Sequence, residues 1–192
     1  MPRIQTQTIG QHRDWRRAQL IEAAAEIARE SGGAAITVAA VAQRAGLSRS
    51  SVYEYFSSSA DLVADLVIEE LDGFANILKE AVGECSDPHI CIESWIDGAL
   101  RYIAQGSHLL AIALNATSLP QDRAAHISAA HRALFAPLHK ALTALGVHDI
   151  AQALAYIQSA TDVATKRIET GHDVEAEIKT ATAFCISGLA SL

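Results

Sequence analysis

The stretch that decides the fold runs from Thr37 to Phe56 and reads Thr-Val-Ala-Ala-Val-Ala-Gln-Arg-Ala-Gly-Leu-Ser-Arg-Ser-Ser-Val-Tyr-Glu-Tyr-Phe. Thr37 and Ser48 are residue types that cap helix N-termini, because their hydroxyl oxygens accept hydrogen bonds from otherwise free N–H groups. Gly46 lies between them, where the first helix must end in a left-handed turn that glycine adopts without steric penalty. The stretch therefore predicts two short helices, over about 38–45 and 49–55, joined by a tight turn.

Small and apolar residues in this stretch predict how its two helices pack. Ala42 lies four residues before Gly46, and its small side chain lets the second helix cross closely. The apolar wedge between the helices is formed by Val41, Ala45, Leu47, Val52 and Phe56. This spacing is typical of a helix-turn-helix, in which the second helix lies in a DNA major groove. The alternative is an ordinary αα-corner, but the almost entirely hydrogen-bonding exposed side of the second helix fits core scaffolding poorly.

Residues 20–62 resemble the N-terminal DNA-binding domain of the TetR family of transcriptional regulators. The matching pieces are Leu20-Ile21-x-x-Ala24-Ala25, Gly32, Thr37-x-x-x-Val41-Ala42, Ala45-Gly46-Leu47-Ser48, and Val52-Tyr53-x-Tyr55-Phe56 leading to Asp61-Leu62. The resemblance implies a homodimeric repressor that binds a roughly palindromic double-stranded DNA operator. It also implies release from DNA when a small-molecule inducer enters the C-terminal domain.

The resemblance also implies which side chains contact DNA. Thr37 would bond a phosphate, and Tyr53 and Tyr55 would contact the DNA backbone. Base edges or phosphates would be met by Ser48, Arg49, Ser50 and Ser51. We expect Arg49 to read a base, because a guanidinium can bond O6 and N7 of guanine together; a plain phosphate contact is the alternative.

The sequence departs from the family pattern at Ser59, where the family usually has a lysine that helps to hold a phosphate. The serine keeps the helix N-terminus but lacks the charge. Three arginines close together near the first helix, Arg13, Arg16 and Arg17, are candidates to compensate.

The distribution of charge along the chain agrees with a protein that contacts a polyanion through its N-terminal part. Residues 1–62 carry seven arginines against six acidic residues, whereas the remaining 130 residues carry 8 basic and 16 acidic side chains. Half of the residues are apolar and 19% are charged, which excludes a disordered chain. The longest strongly apolar stretch, Leu109–Ala116, is far too short to span a bilayer. The start lacks a secretory signal.

Cysteine usage agrees with a soluble, cytoplasmic protein. The three cysteines form neither a disulfide framework nor a Cys-x-x-Cys metal site, since Cys85 and Cys91 are six apart and Cys185 is distant.

Apolar residues recur at helical spacing almost everywhere, so we predict an all-α protein of about nine helices. The domains expected are a flexible N-terminal arm (1–12), a three-helix helix-turn-helix domain (13–59) and a larger ligand-binding and dimerisation domain (60–192). Further helices are predicted over about 14–31, 60–82, 88–105, 107–115, 118–145 with a kink or break at Pro137, 149–170 and 174–190.

The C-terminal part holds the candidates for ligand binding and dimerisation. In the family the comparable helices enclose an inducer cavity, and the side chains we expect at its wall are Trp95, Tyr102, Phe135 and Tyr156, with simple core filling as the alternative. The last two helices carry a dimerisation pattern formed by Leu154, Ile157, Thr161, Ile178, Ala181, Cys185, Gly188 and Leu189.

Patterns of catalytic or cofactor chemistry do not occur in the sequence. His126, His131 and His139 do not share a helix face, so we expect no metal site. Phosphate-loop, nucleophile-elbow and zinc-protease motifs are missing, so we predict no catalytic residue, no cofactor and no enzyme. A ligand-responsive repressor is the leading hypothesis. The alternatives are a DNA-binding regulator without an inducer, or an activator, and a helical enzyme or lipid-binding bundle.

Overall fold

A computed structural model describes residues 9–105 and 120–190 of the chain. Over these two ranges the protein contains nine α-helices, two single-turn 3₁₀ helices and no strand. The α-helices are α1 (Ile9–Ser31), α2 (Val38–Arg44), α3 (Arg49–Tyr53), α4 (Ser59–Val82), α5 (Pro88–Ala104), α6 (Ala124–Leu134), α7 (Ala136–Ala144), α8 (Ile150–Glu169) and α9 (Val174–Leu189), and the 3₁₀ helices are Gly33–Ala35 and Gln121–Arg123. The predicted all-α class is confirmed.

Side-chain caps fix where most of these helices begin. Asp87, Asp149 and Asp173 accept hydrogen bonds from the backbone N–H groups of the first turns of α5, α8 and α9, at 2.8–2.9 Å. Each cap satisfies a donor that the helix itself leaves unpaired. Pro88 occupies the first position of α5, where its missing N–H costs nothing.

The first of two compact units comprises residues 9–70 and 120–127 of the described chain. Its core is formed by apolar residues of α1, α2, α3 and the first half of α4. Asp65 of α4 is buried in this unit, with its two carboxylate oxygens 2.7 Å from Arg17 Nη2 and 3.1 Å from Arg123 Nη1. The first unit therefore extends beyond the predicted boundary at residue 59.

The second unit comprises residues 71–105 and 128–190 of the described chain. Its core contains apolar residues from the second half of α4 and from α5 through α9. An ion pair between Arg167 Nε and the buried Glu177 carboxylate, 2.8 Å apart, links α8 to α9. Among the described residues, no helix is long and apolar enough to cross a membrane.

One predicted helix boundary differs from the structure, and one predicted break is present in it. The helix α1 begins at Ile9, so residues 9–12 are helical and not part of a flexible arm. These four residues show no apolar periodicity, so their sequence does not predict a helix. The predicted helix over 118–145 is interrupted at Phe135, and Pro137 lies in the first turn of α7, as the expected break requires. The predicted helix over 107–115 lies outside the described residues.

The structure also corrects the interpretation of the cysteines. Cys85 and Cys91 form a disulfide between the α4–α5 connection and the first turns of α5, although the sequence predicted no disulfide framework. Their six-residue separation matches no framework pattern, and only the turn between the two helices brings the sulfurs together. Cys185 is a buried free thiol, and burial raises its pKa to about 11.

Candidate nucleic-acid interface

The helices α2 and α3 are joined by the tight turn that the sequence predicts. Thr37 Oγ1 accepts a hydrogen bond from Ala40 N, and Ser48 Oγ accepts one from Ser51 N, both at 3.1 Å. Gly46 has a φ of 66°, a left-handed conformation that favours glycine. An added Cβ would contact no neighbouring atom, so the backbone conformation, and not lack of space, is the reason for glycine at this position. Leu47 N donates to Ala42 O at 2.8 Å and closes the end of α2.

The apolar wedge holds α3 against the core and leaves its polar side exposed. Val41, Ala42, Val52 and Phe56 are buried in the core cluster that also contains residues of α1 and α4. On the other side of α3, Ser48, Arg49 and Ser50 are exposed, Ser51 is partly exposed and Tyr53 is 56% exposed. The five-residue helix α3 therefore presents hydroxyl, guanidinium and phenol groups to solvent from a rigid support.

Arg49 is available for binding, whereas several other arginines of this unit are held by carboxylates. Arg44 pairs with Glu26 and Glu30 at 3.0 and 2.5 Å. These hydrogen bonds raise the pKa of Arg44 above its ordinary value. Within the described ranges, no ion pair holds Arg49. A free guanidinium at the start of α3 can bond guanine or phosphate.

The start of α4 lies close in sequence to α3 and contains Ser59, which the sequence predicts as a phosphate contact. Ser58 Oγ accepts a hydrogen bond from Asp61 N at 3.1 Å, and Ser57 contacts the Asp61 carboxylate. The helix begins at Ser59, as its predicted role requires. The N–H groups of this first turn remain, but Ser59 adds no charge and Asp61 lies close to the helix start.

The three arginines of α1 differ from one another. Arg17 donates to Asp65 at 2.7 Å and to Glu69 at 2.9 Å. Burial opposes ionisation, but these two hydrogen bonds leave its pKa above the ordinary value. The structure thus places Arg17 in a structural ion-pair cluster and not at a free phosphate-binding position. The Arg13 guanidinium lies 6.0 Å from the Tyr55 ring centroid, and that of Arg16 lies 5.1 Å from the Trp15 ring.

Residues 20–66 match the sequence family described as "Bacterial regulatory proteins, tetR family". This matched segment contains α2, the glycine turn, α3 and the first part of α4. This segment is therefore a domain of the TetR-family type. No curated protein matches its sequence significantly.

Solved structures share the fold of this chain over most of its length. The regulator FadR from Bacillus subtilis, in complex with stearoyl-CoA, has a TM-score of 0.73 at 22% identity and covers 89% of this chain and 98% of its own. The fatty acid degradation regulator FadR from Bacillus halodurans has a TM-score of 0.70 at 19% identity, with 88% and 94% coverage. The TetR-family regulator PfmR from Thermus thermophilus has a TM-score of 0.65 at 20% identity, with 86% and 94% coverage.

The aromatic residues predicted to line a ligand cavity lie in different environments of the second unit. Trp95 is buried in the core, and its indole Nε1 donates to Leu134 O at 2.8 Å. Phe135 lies beside it, with ring centroids 5.6 Å apart. The ring of Tyr102 stacks on that of Phe74 at 4.3 Å. Tyr156 is 56% exposed on α8, whereas Phe135, Tyr102 and Phe74 are partly buried.

Most residues predicted for the dimer interface are buried within the subunit's own core. These are Ile157, Thr161, Ile178, Ala181, Cys185 and Leu189, while Leu154 is partly buried and Gly188 is exposed. The large exposed apolar residues of these two helices are instead Tyr156, Val163 and Phe184. Tyr156 and Val163 are seven residues apart and share one side of α8. Together with Gly188, these three residues are called the α8–α9 face below.

Of this face, the sequence pattern predicted Gly188 for the dimer interface and Tyr156 for a ligand cavity, and it assigned no role to Val163. Phe184 is 68% exposed, and a surface cavity of about 230 Å³ between α8 and α9 is lined by Tyr156, Phe184 and Gly188 among others. The usable signal was a pair of large apolar residues at seven-residue spacing, Tyr156 and Val163, beside the buried stripe of α8.

Replacing Ser59 with lysine is expected to strengthen DNA binding and to make it more dependent on salt. One added phosphate contact should steepen the slope of log K against log salt concentration by about 0.9 for each bound protomer. Fluorescence anisotropy with a labelled duplex at several salt concentrations measures this slope. Ser128→Lys, which adds the same charge at an exposed position of α6, is the control. An equal gain in the two variants would show that only net charge matters.

Proposed function

We propose that this TetR-family regulator is a repressor that binds a palindromic DNA operator as a homodimer and is released by a small-molecule ligand. The exposed polar surface of α3 carries the proposal, because Arg49 and its serine neighbours stand out from a core that Val52 and Phe56 anchor. A helix in this position reads base edges when it lies in the major groove. Arg13 and Arg16 of α1 supply phosphate contacts, whereas Arg17 does not.

The α8–α9 face is the proposed dimer contact. The helix α8 has 20 residues and α9 has 16, so each protomer offers two rods of about 30 and 24 Å. Two copies of this pair related by a two-fold axis form a four-helix contact, which buries Tyr156, Val163 and Phe184 on both sides. Small residues along α9, including Ala183 and Gly188, permit close approach of the helices.

A fatty acyl thioester is the first ligand class to test. A regulator of similar fold was solved with stearoyl-CoA. The apolar second unit is suited to an acyl chain, since ligand sites in helical proteins are mostly apolar with few polar groups. Stearoyl-CoA and shorter acyl-CoA compounds are therefore to be screened by thermal shift, since a ligand that binds the folded state raises its melting temperature.

Selection of bound fragments from random duplexes tests the proposed function. We expect an inverted repeat, protected in footprinting at two half-sites whose centres are one helical turn of DNA or a multiple apart. Compounds that raise the melting temperature are then added to the complex and should release the DNA. Recovery of random sequences only, with no protected half-sites, would contradict operator binding.

Two other classes of function make different predictions in the same experiments. A DNA-binding regulator without an inducer, or an activator, would give the inverted repeat but no compound that releases it. A helical enzyme or lipid-binding bundle would give no repeat, and Arg49→Ala would leave its activity unchanged. The exposed α3 surface favours the repressor over this last class.

A further inference from the structure

The connection between α4 and α5 holds the cysteine pair in an accessible place. Cys85 lies in the connection and Cys91 in the first turns of α5, and both residues are partly exposed. A surface cavity of about 360 Å³ is lined by the two cysteines together with Lys79 and Lys140. The site therefore combines access with space for a small reactant.

Several features separate this pair from a structural cross-link. The two cysteines are six residues apart, and short loops gain the least stability from closure. Cys85 belongs to neither core cluster, so the apolar core forms without it. The argument also rests on the proposed function, because a DNA-bound regulator works where thiols are kept reduced and disulfides there are usually transient and redox-sensing.

We propose that Cys85 and Cys91 are a redox-modification site, a dithiol that hydroperoxides oxidise to a disulfide and that thiols reduce again. The disulfide ties the Gly83–Asp87 connection to α5 and forms part of the cavity wall. Cys185 takes no part, because it is buried and its thiol pKa is raised to about 11. Cys85 and Cys91 therefore differ from Cys185 in both exposure and expected reactivity.

The reaction balances with a hydroperoxide as the only oxidant. One thiolate attacks the peroxide, the O–O bond breaks, a sulfenic acid forms, and an alcohol or water leaves with the thiol proton. The second thiol then attacks this sulfur, the S–S bond forms, and the hydroxyl leaves with the second proton as water. Two thiols lose two electrons and one peroxide gains them. Two equivalents of a thiol reductant reverse the change through a mixed disulfide.

Mass spectrometry of the folded, full-length protein tests the proposal without DNA. Trypsin leaves both cysteines in the peptide 80–101 and Cys185 in the peptide 180–192. In the reduced protein, an alkylating reagent should modify both cysteines of 80–101 before denaturation and Cys185 only after it. In a separate sample of reduced protein that has not been alkylated, hydrogen peroxide should remove two hydrogens from 80–101, and reduced glutathione should restore them. A disulfide that resists glutathione, or thiols that peroxide leaves free, would overturn the proposal.

Single substitutions and hydrogen exchange complete the test. Cys85→Ser and Cys91→Ser should each leave a sulfenic acid that dimedone traps, whereas Cys185→Ser should still form the disulfide. Reduction should speed amide exchange in the Gly83–Asp87 connection by about tenfold, because the tether is lost. Equal exchange in the two states would contradict the tether, and disulfide-linked dimers on a non-reducing gel would contradict pairing within one chain. A failure of operator binding would change none of these readouts.

Discussion

Phe184→Asp is expected to convert the regulator from a dimer to a monomer and to reduce operator affinity by at least about a hundredfold. A carboxylate in the centre of the α8–α9 face would have to lose its hydration on association, and burial of an unpaired charge costs several kcal/mol. Phe184 is 68% exposed in the single chain, so the substitution does not disturb the subunit's own core. Loss of the dimer also removes the simultaneous contact with two half-sites.

Analytical ultracentrifugation and anisotropy with the selected operator measure the two effects. Ile90→Asp is the matched control, because Ile90 is also an exposed large apolar residue (53%) but lies on α5, outside the α8–α9 face. The control should remain dimeric and bind DNA normally. If Phe184→Asp stays dimeric while Ile90→Asp dissociates, the proposed dimer face is in the wrong place.

Phe56→Ala is expected to destabilise the first unit by about 3–5 kcal/mol, the usual cost of deleting a fully buried phenylalanine ring. Phe56 is buried in the cluster that joins α1, α2, α3 and α4, and its ring lies 5.8 Å from the Arg17 guanidinium. The cavity left by its removal would loosen the support of α3, so DNA binding should fail together with folding.

Urea unfolding followed by circular dichroism measures the change in the free energy of unfolding. Tyr53→Ala is the control, since Tyr53 carries another aromatic ring three residues away but is 56% exposed. It should change stability by less than about 0.5 kcal/mol while weakening DNA binding. Comparable losses of stability in the two variants would show that the core does not anchor α3 through Phe56.

The helices could be predicted wherever local chemistry marks their ends. Thr37, Ser48 and Asp87 are residue types that predict helix N-caps, and Pro137 predicts the break near Phe135. The extension of α1 back to Ile9 could not be predicted, because Gln11 and its neighbours face solvent and leave no apolar period. The division of the chain into two units at residue 70 could not be predicted either. The helix α4 is continuous there, and no residue type shows where its side chains change from one core to the other.

The polar surface of α3 could be predicted because the apolar wedge and the glycine turn fix its orientation within twenty residues. The ion pairing of Arg17 could not be predicted, because its partner Asp65 lies 48 residues away and the two side chains come within 2.7 Å only in the folded unit. The same holds for Arg123, which shares Asp65 and which no sequence pattern marks. Ion pairs between residues far apart in the sequence form only in the folded protein, and they produce no periodic pattern in the sequence.

The affinity of Arg49→Ala for the selected operator tests the central claim, that α3 reads DNA, most directly. Loss of one bidentate base contact costs about 1–3 kcal/mol, and a dimer loses two, so we expect affinity to fall by at least about thirtyfold, with relaxed preference at one base pair of each half-site. Arg132→Ala, which removes an exposed arginine of α6, should bind as tightly as the native protein. Unchanged operator affinity in a folded, dimeric Arg49→Ala variant would contradict the proposed role of α3.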